Sequence, residues 1–243
     1  MTLEFSNVYD DSTRAESYDG VGYPATYYLA FRDLPAIIAE HATGTTALDF
    51  GCGAGRSTRF LRDLGFDVVG VDIAEEMLVR ARARDPGADY RLVPDGDLSS
   101  MRAERYDLIL CSFTFDNVPT SEKKVALFLA LAGLLTERGR IVNLVSAPAI
   151  YVNEWTSFST KDFPENASAE SGDRVRIVML DVPDRRPVED VLCTDASYRE
   201  LYARSGLDAV AMHSPLGDVS EPYPWVNETE ISPWAIYVLA RRA

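Results

Sequence analysis

A chain of 243 residues with 47% hydrophobic content is long enough for one sizeable α/β core, or for a core with a modest cap. Its 38 acidic residues outnumber 24 basic ones for a net charge of −14, and no run of Lys or Arg occurs, so the clustered cations that nucleic acid and anionic membranes require are missing. Cys52, Cys111 and Cys193 are scattered, with neither metal-ligand spacing nor a disulfide framework, which suits a reducing cytoplasmic setting without a metal centre.

Residues 1–23 are polar and acidic, unlike a secretory leader, and contain Tyr9-Asp10 and Tyr18-Asp19. By itself this segment reads as a loosely structured terminus. From Pro24 to Ala42, Tyr27, Tyr28, Phe31, Leu34, Ile37 and Ile38 recur at helical spacing, predicting one helix with Pro24 in its first turn and an apolar stripe for a sheet. His41 at its end suits a solvated or dipole-compensating role.

Thr45 to Phe50 reads as a short buried strand ending in Asp49-Phe50 and running into Gly51-Cys52-Gly53-Ala54-Gly55-Arg56. Glycines at alternate positions permit positive φ and close approach of the backbone to a ligand. A dinucleotide site wants GxGxxG, with a pyrophosphate on the helix N-terminus. Here Arg56 stands where the third glycine belongs, and Asp49 at the mouth would repel phosphate but attract an ammonium or sulfonium. The expected ligand lacks phosphates and carries positive charge near the turn, which disfavours a dinucleotide oxidoreductase.

The run ALDFGCGAG resembles the first motif of class I S-adenosylmethionine-dependent methyltransferases, and the similarity extends in register from about Tyr9 to Gly139. The resemblance implies a Rossmann-like methyltransferase fold: a doubly wound, mostly parallel seven-stranded sheet, with S-adenosyl-L-methionine as cofactor held by Asp49, Gly51 and Gly53. It also implies that a tyrosine of the N-terminal segment, here taken as Tyr18, folds over the methionine end of the cofactor.

Thr58 to Leu64 is the first predicted crossover helix, and Asp67 to Asp72 an apolar strand ending in a carboxylate. Asp72 lies 21 residues after Gly51, the spacing at which an acidic residue reaches both ribose hydroxyls, and the resemblance gives it the same task. Capping the helix Glu75 to Arg84 is its other reading. Ile73 and Met77 would flank the adenine, although Met77 on a helix face equally suits core packing. After a third strand at Ala88 to Val93, the resemblance assigns Asp95 to the adenine amino group and the Gly96 amide to a ring nitrogen; Asp97 competes for the first role, and an ordinary turn is the alternative.

Tyr106 to Phe113 is the fourth strand, with Ser112 near its end as a further cofactor contact. Asp116-Asn117 follows where many relatives carry histidines. Asp116 is a candidate base or donor-orienting group, or a cap for the helix Ser121 to Leu135, and Asn117 a candidate acceptor contact. The apolar run Val125 to Leu135 is too short to span a bilayer. Gly139 to Val145 is a fifth strand, apolar on both faces. Residues 146–194 then change character: aromatics, a polar stretch from Pro164 to Asp173, and the β-branched run Arg174 to Leu180 predict a small β cap or lid inserted after strand 5. Helix Asp195 to Ser205, strand Leu207 to His213, a loop of about 17 residues and strand Trp234 to Arg241 complete the chain. His213, at the start of that loop, is the second candidate base.

These elements read as one methyltransferase domain over 1–243 with 146–194 as its cap. The expected activity is in-line methyl transfer to O, N or C of a small molecule, flat or apolar, walled by Tyr28, Phe115, Trp155 and Trp225. Nucleic acid and membrane are not expected as partners, and monomer and homodimer stay open. A macromolecule methyltransferase, or a protein that binds the cofactor without turning it over, are the rival readings; the first wants a basic face and the second damaged cofactor motifs, and the sequence has neither.

Overall fold

The structure is a computed structural model and describes residues 24–242; Tyr9 and Tyr18 lie outside the described residues. Seven strands form the main sheet: β1 (Thr46–Phe50), β2 (Asp67–Asp72), β3 (Asp89–Leu92), β4 (Tyr106–Ser112), β5 (Leu135–Ser146), β9 (Leu207–His213) and β10 (Trp234–Arg241). Their order is β3-β2-β1-β4-β5-β10-β9. β1 to β5 run parallel, and β10 enters antiparallel between β5 and β9. The chain winds outward from β1 in both directions, so a crevice opens where β1 and β4 end side by side.

Alternation along the strands sends side chains to two apolar layers. Leu108 and Leu110 of β4 face α1 (Ala25–Arg32) and α2 (Leu34–His41), whereas Ile109 and Cys111 face α5 (Ser121–Gly133) and α6 (Asp195–Arg204). α3 (Arg56–Asp63) contributes Leu61 to the first layer, and α4 (Glu75–Arg84) packs Leu78 and Ala81 beside Tyr90 of β3.

The single helix expected from Pro24 to Ala42 is two. Pro35, at the second position of α2, lacks the N–H that a continuous helix would need and crowds the carbonyl one turn back, so the chain re-nucleates at Asp33. β5 starts earlier than Gly139: α5 stops at Gly133, Leu135 already pairs with Tyr106, and the register with β4 shifts before Leu108.

The segment after β5 forms a second, three-stranded antiparallel sheet of β6 (Phe158–Ser159), β7 (Arg174–Met179) and β8 (Val188–Val191), ordered β6-β7-β8. Val175, Ile177 and Met179 alternate inward along β7 and join the same apolar cluster as Tyr27, Leu144 and Trp234. The cap therefore shares its core with the main sheet. A buried knot ties it down: Glu228 accepts hydrogen bonds from the Thr26 hydroxyl at 2.7 Å and from the Thr156 and Val226 N–H groups at 2.8 Å, while Ser157 N–H donates to Thr26 and the Trp234 indole donates to the Thr26 carbonyl. Among the described residues no helix is long and apolar enough to cross a membrane.

Candidate active site

β1 ends in the glycine turn, and two features fix the shape of that turn. Gly51 has φ +77°, and a Cβ there would stand 2.3 Å from the Thr114 hydroxyl; Gly53 has φ +52°. Both need the left-handed region, which costs a residue with a Cβ roughly 1–2 kcal/mol before any clash. Asp49, fully buried at the end of β1, is bound to the first turn of α3: the Ser57 and Thr58 hydroxyls donate to its Oδ2 at 2.7 and 2.6 Å. Its Oδ1 is buried with no hydrogen-bond partner among the described residues. Burial pushes the Asp49 carboxyl up to about 6, and the nearby Asp72 carboxylate adds to the rise against the two hydroxyls.

Asp72 closes the other side of the turn. Its Oδ2 accepts from Gly53 N–H at 2.8 Å and its Oδ1 from Ala74 N–H at 2.9 Å, so the carboxylate both orders the turn and leads into α4. Arg56, in the position where a dinucleotide motif has glycine, lays its guanidinium over the rings of Tyr27 and Phe31, 5.3 and 5.5 Å from their centroids.

A small cavity of about 50 Å³ lies where β4 and β5 end beneath the cap. The main fold supplies Tyr27, Phe113, Asp116, Asn117, Ser146 and Trp234 to its lining. The cap and its leading turn supply Tyr151, Phe158, Ile177, Met179, Val188 and Asp190. Phe113 is held at φ 61°, ψ 6°, a left-handed conformation that an aromatic residue rarely adopts. It is joined to the glycine turn through its neighbour Thr114, whose hydroxyl donates to the Phe50 carbonyl at 2.8 Å. Two carboxylates meet in this cavity. Asp116 accepts from Ser146 N–H at 3.0 Å, and Asp190 of β8 accepts from the Tyr151 hydroxyl at 3.0 Å. Burial first, and the Asp190 charge second, raise the Asp116 carboxyl to about 7.

Residues 48–141, from β1 through the glycine turn into β5, match the family model described as a methyltransferase domain. Over 98 residues the chain is 34% identical to the ubiquinone biosynthesis O-methyltransferase of Bordetella avium, covering 39% of this chain and 41% of that protein. Over 127 residues it is 29% identical to the N-demethylindolmycin N-methyltransferase of Streptomyces griseus, covering 51% and 52%. The chain thus spans about half or less of the length of these curated relatives. The CcbJ methyltransferase of Streptomyces caelestis superposes with TM-score 0.63 at 18% identity, over 88% of this chain and 96% of that one, which shows a shared fold.

Of the expected cofactor residues, Gly51 and Gly53 make the turn itself, and Asp49 and Asp72 flank it. Met77 packs in a small cluster with Ala54 and Ala74, its methyl 3.1 Å from the position of a Gly53 Cβ. Ile73 is half-buried at the edge of the α5 layer, and Ser112 half-buried at the end of β4. Asp95 sits further out: its side chain is 83% exposed and ion-paired with Lys123. The Gly96 amide is turned inward, donating to the Val93 carbonyl at 2.9 Å, and Asp97 caps Ser99 in an ordinary turn.

The expected acceptor walls are corrected by the fold. Phe115 points to the opposite face of the sheet, fully buried and stacked 3.9 Å from Phe128, because the tight turn after β4 reverses alternate side chains. Trp155 is buried as a cap anchor, its indole donating to the Ile150 carbonyl. Tyr28 packs on Tyr223, and Trp225 donates to the Asp218 carbonyl in the loop 214–233; neither lines the cavity. His213 lies on edge strand β9 with its ring 6.3 Å from that of His41, away from the cavity lining. Of the expected acceptor and base residues, Asp116 and Asn117 are in the lining. Asp190 and Tyr151 were missed. Their signal was only an acidic residue in an alternating strand and an aromatic after β5, neither of which points to Asp116 in one dimension.

Proposed function

We propose that this protein transfers a methyl group from S-adenosylmethionine to a small-molecule acceptor bound beneath the cap. The observation that carries this reading is the junction of turn and cavity: the Thr114 hydroxyl donates to the Phe50 carbonyl beside Gly51, and the next residue back, Phe113, is a wall of the cavity. Two ligands seated in these spaces would meet at that junction.

The residues at the turn suit the cofactor. The Asp49 Oδ1, without a partner among the described residues, and the Asp72 carboxylate make a negative pocket fit for a cation, and Asp72, which also accepts from the Gly53 and Ala74 N–H groups, would receive the ribose hydroxyls. Gly51 and Gly53 leave room for close backbone contact, Ile73 and Met77 would border the adenine, Ser112 would contact the cofactor from β4, and Asp95 would need to leave Lys123 to reach an amino group. When bound, the cofactor supplies an electrophilic methyl on a sulfonium. The chain's part is alignment and exclusion of water, and positioning of this kind lowers a barrier by roughly 7–11 kcal/mol. Both named relatives are methyltransferases of small molecules, one at oxygen and one at nitrogen, which supports the acceptor class and leaves the atom open. The net charge of −14 supports a metabolite over nucleic acid.

The test has two stages. Calorimetry should show binding of S-adenosylhomocysteine and none of NADH; the reverse would overturn the reading. Incubation with methyl-labelled cofactor and a metabolite extract should then place label in a small molecule, and tight cofactor binding without any transfer would indicate a protein that only binds.

A further inference from the structure

We propose that the two histidines of the chain, His41 and His213, form a binding site for a transition-metal dication such as Zn2+, which ties α2 to the edge strand β9 away from the cavity beneath the cap.

The sequence holds only these two histidines, and the fold brings them together. His41 is the last residue of α2 and His213 the last of β9, and their rings stand 6.3 Å apart between centroids at an interplanar angle of 63°. On both rings Nε2 is shut off from solvent and has no hydrogen-bond partner. Two nitrogens left in this way are costly, because each has given up water without a replacement. A Lewis acid between them satisfies both at once: metal–nitrogen bonds of about 2.0–2.1 Å on either side, added to the half-widths of two imidazoles, reach across a gap of this size.

The surroundings favour a cation there. The Glu40 carboxylate lies 3.9 Å from His41 Nε2, and His41 stands at the C-terminal end of a helix, where the backbone carbonyls stabilise positive charge. Ala42 and Ala211, beside the two histidines in sequence, pack on the main apolar layer and help to keep bulk water away. Imidazole nitrogens select Zn2+, Cu2+ or Ni2+ over Mg2+ and Ca2+, which take oxygen ligands. Among the described residues no third histidine, cysteine or carboxylate joins the pair to make a three-ligand metal group, so water completes the coordination shell. α2 follows directly on α1, whose Thr26 is held by Glu228 and whose Tyr27 lines the cavity. A metal at the histidine pair therefore staples the layer that carries those residues to the edge of the sheet, and takes no part in methyl transfer.

The full chain, stripped with a chelator, is titrated with ZnCl2 by calorimetry and heated with and without the metal. One equivalent should bind, and at a hundred times Kd the melting temperature should rise by about 5–10 °C, whereas Mg2+ should leave it unchanged. Losing a group that only supports a metal ligand costs about 10–100-fold in affinity, so His41→Gln and His213→Gln should each weaken Zn2+ binding by at least about tenfold. Melting in chelator shows whether each variant folds. Cu2+ bound to the wild-type chain should show imidazole nitrogen couplings in pulsed electron paramagnetic resonance, a readout that needs no variant. Absence of Zn2+ uptake by the wild type would leave the two nitrogens to a water molecule and overturn the proposal. Undiminished uptake by the double variant, or Cu2+ couplings without imidazole nitrogen, would overturn it equally, and none of these outcomes bears on S-adenosylhomocysteine binding.

Discussion

Asp49 finds its hydrogen-bond partners eight and nine positions further along the chain, at Ser57 and Thr58. Asp116 finds Ser146 thirty positions away, and Asp190 finds Tyr151 across thirty-nine. Both regions bury carboxylates, yet the glycine turn is built by β1, β2, the turn itself and α3, all within residues 46–72, while the cavity beneath the cap is made by the turn after β4, the end of β5, α1, β10 and the cap. The knot that seats the cap reaches further still, with Glu228 bound to Thr26. A local site is stabilised by backbone conformation. A composite site depends on every segment that converges on it, and so on global packing.

The comparison can be broken most severely at Gly51. Gly51→Ala forces a Cβ into the Thr114 side chain at φ +77°, and should cost about 2–4 kcal/mol in stability and abolish measurable S-adenosylhomocysteine binding. Adding Thr114→Ala should restore part of the stability; no recovery in thermal denaturation would mean that the backbone angle alone is responsible.

At the composite site, Glu228→Gln should lower stability by about 2–3 kcal/mol, because an amide cannot accept at both oxygens where Thr26, Thr156, Val226 and Asn227 all donate. Burial tends to raise the Glu228 carboxyl, but the Thr26 hydroxyl and the backbone N–H donors outweigh it and hold it below the usual glutamate range. A lowered folded-state value means that this stabilisation is complete above the ordinary glutamate pKa, about 4.3, and is lost as pH falls through the lower folded value. Denaturation midpoints of wild type and variant should therefore converge in acid.

Asp72→Ala should weaken S-adenosylhomocysteine binding by about 1–3 kcal/mol through loss of charge-assisted hydrogen bonds and of the Gly53 anchor, measured by calorimetry. Unchanged affinity would remove the ribose assignment.

The smallest effect should be a gain. Asp116 has a raised folded-state value near 7, so the folded protein holds a proton that the unfolded chain has lost, and wild-type stability declines as pH rises from about 4 to 7. Asp116→Asn removes that decline. It should stabilise the protein by about 1–2 kcal/mol at pH 8, or roughly 2–4 °C in Tm per kcal/mol, and by little at pH 5. A larger gain at pH 5 than at pH 8 would reverse the assigned sign.

Much of the cofactor half was legible because its signals are short-range. The strand–turn–helix at Asp49 to Thr58 and the second carboxylate at Asp72 are set by spacing along the chain, and α4, β2, β9 and β10 begin and end where hydrophobic period and turn residues put them. The break at Pro35 was legible in principle, since a proline within a helical pattern is itself the signal, but the apolar stripe running through it concealed the division. The acceptor walls were misjudged for a different reason. Aromatic residues carry no address: Phe115 and Phe113 differ by two positions, and a single left-handed residue sends one to the core behind the sheet and the other to the cavity in front.

The sequence by itself determined the layered α/β fold, the glycine turn and the two carboxylates that flank it, since alternation, glycine at fixed positions and strand-to-strand distance are all written over a few tens of residues. Tertiary structure alone decided that Asp190 stands with Asp116, that Tyr151 and Trp234 face the same cavity, and that His213 and Trp155 do not. Those neighbours come from different strands, and which face a side chain takes is fixed by how the strands pair and where the chain turns, a choice made by packing the whole molecule at once.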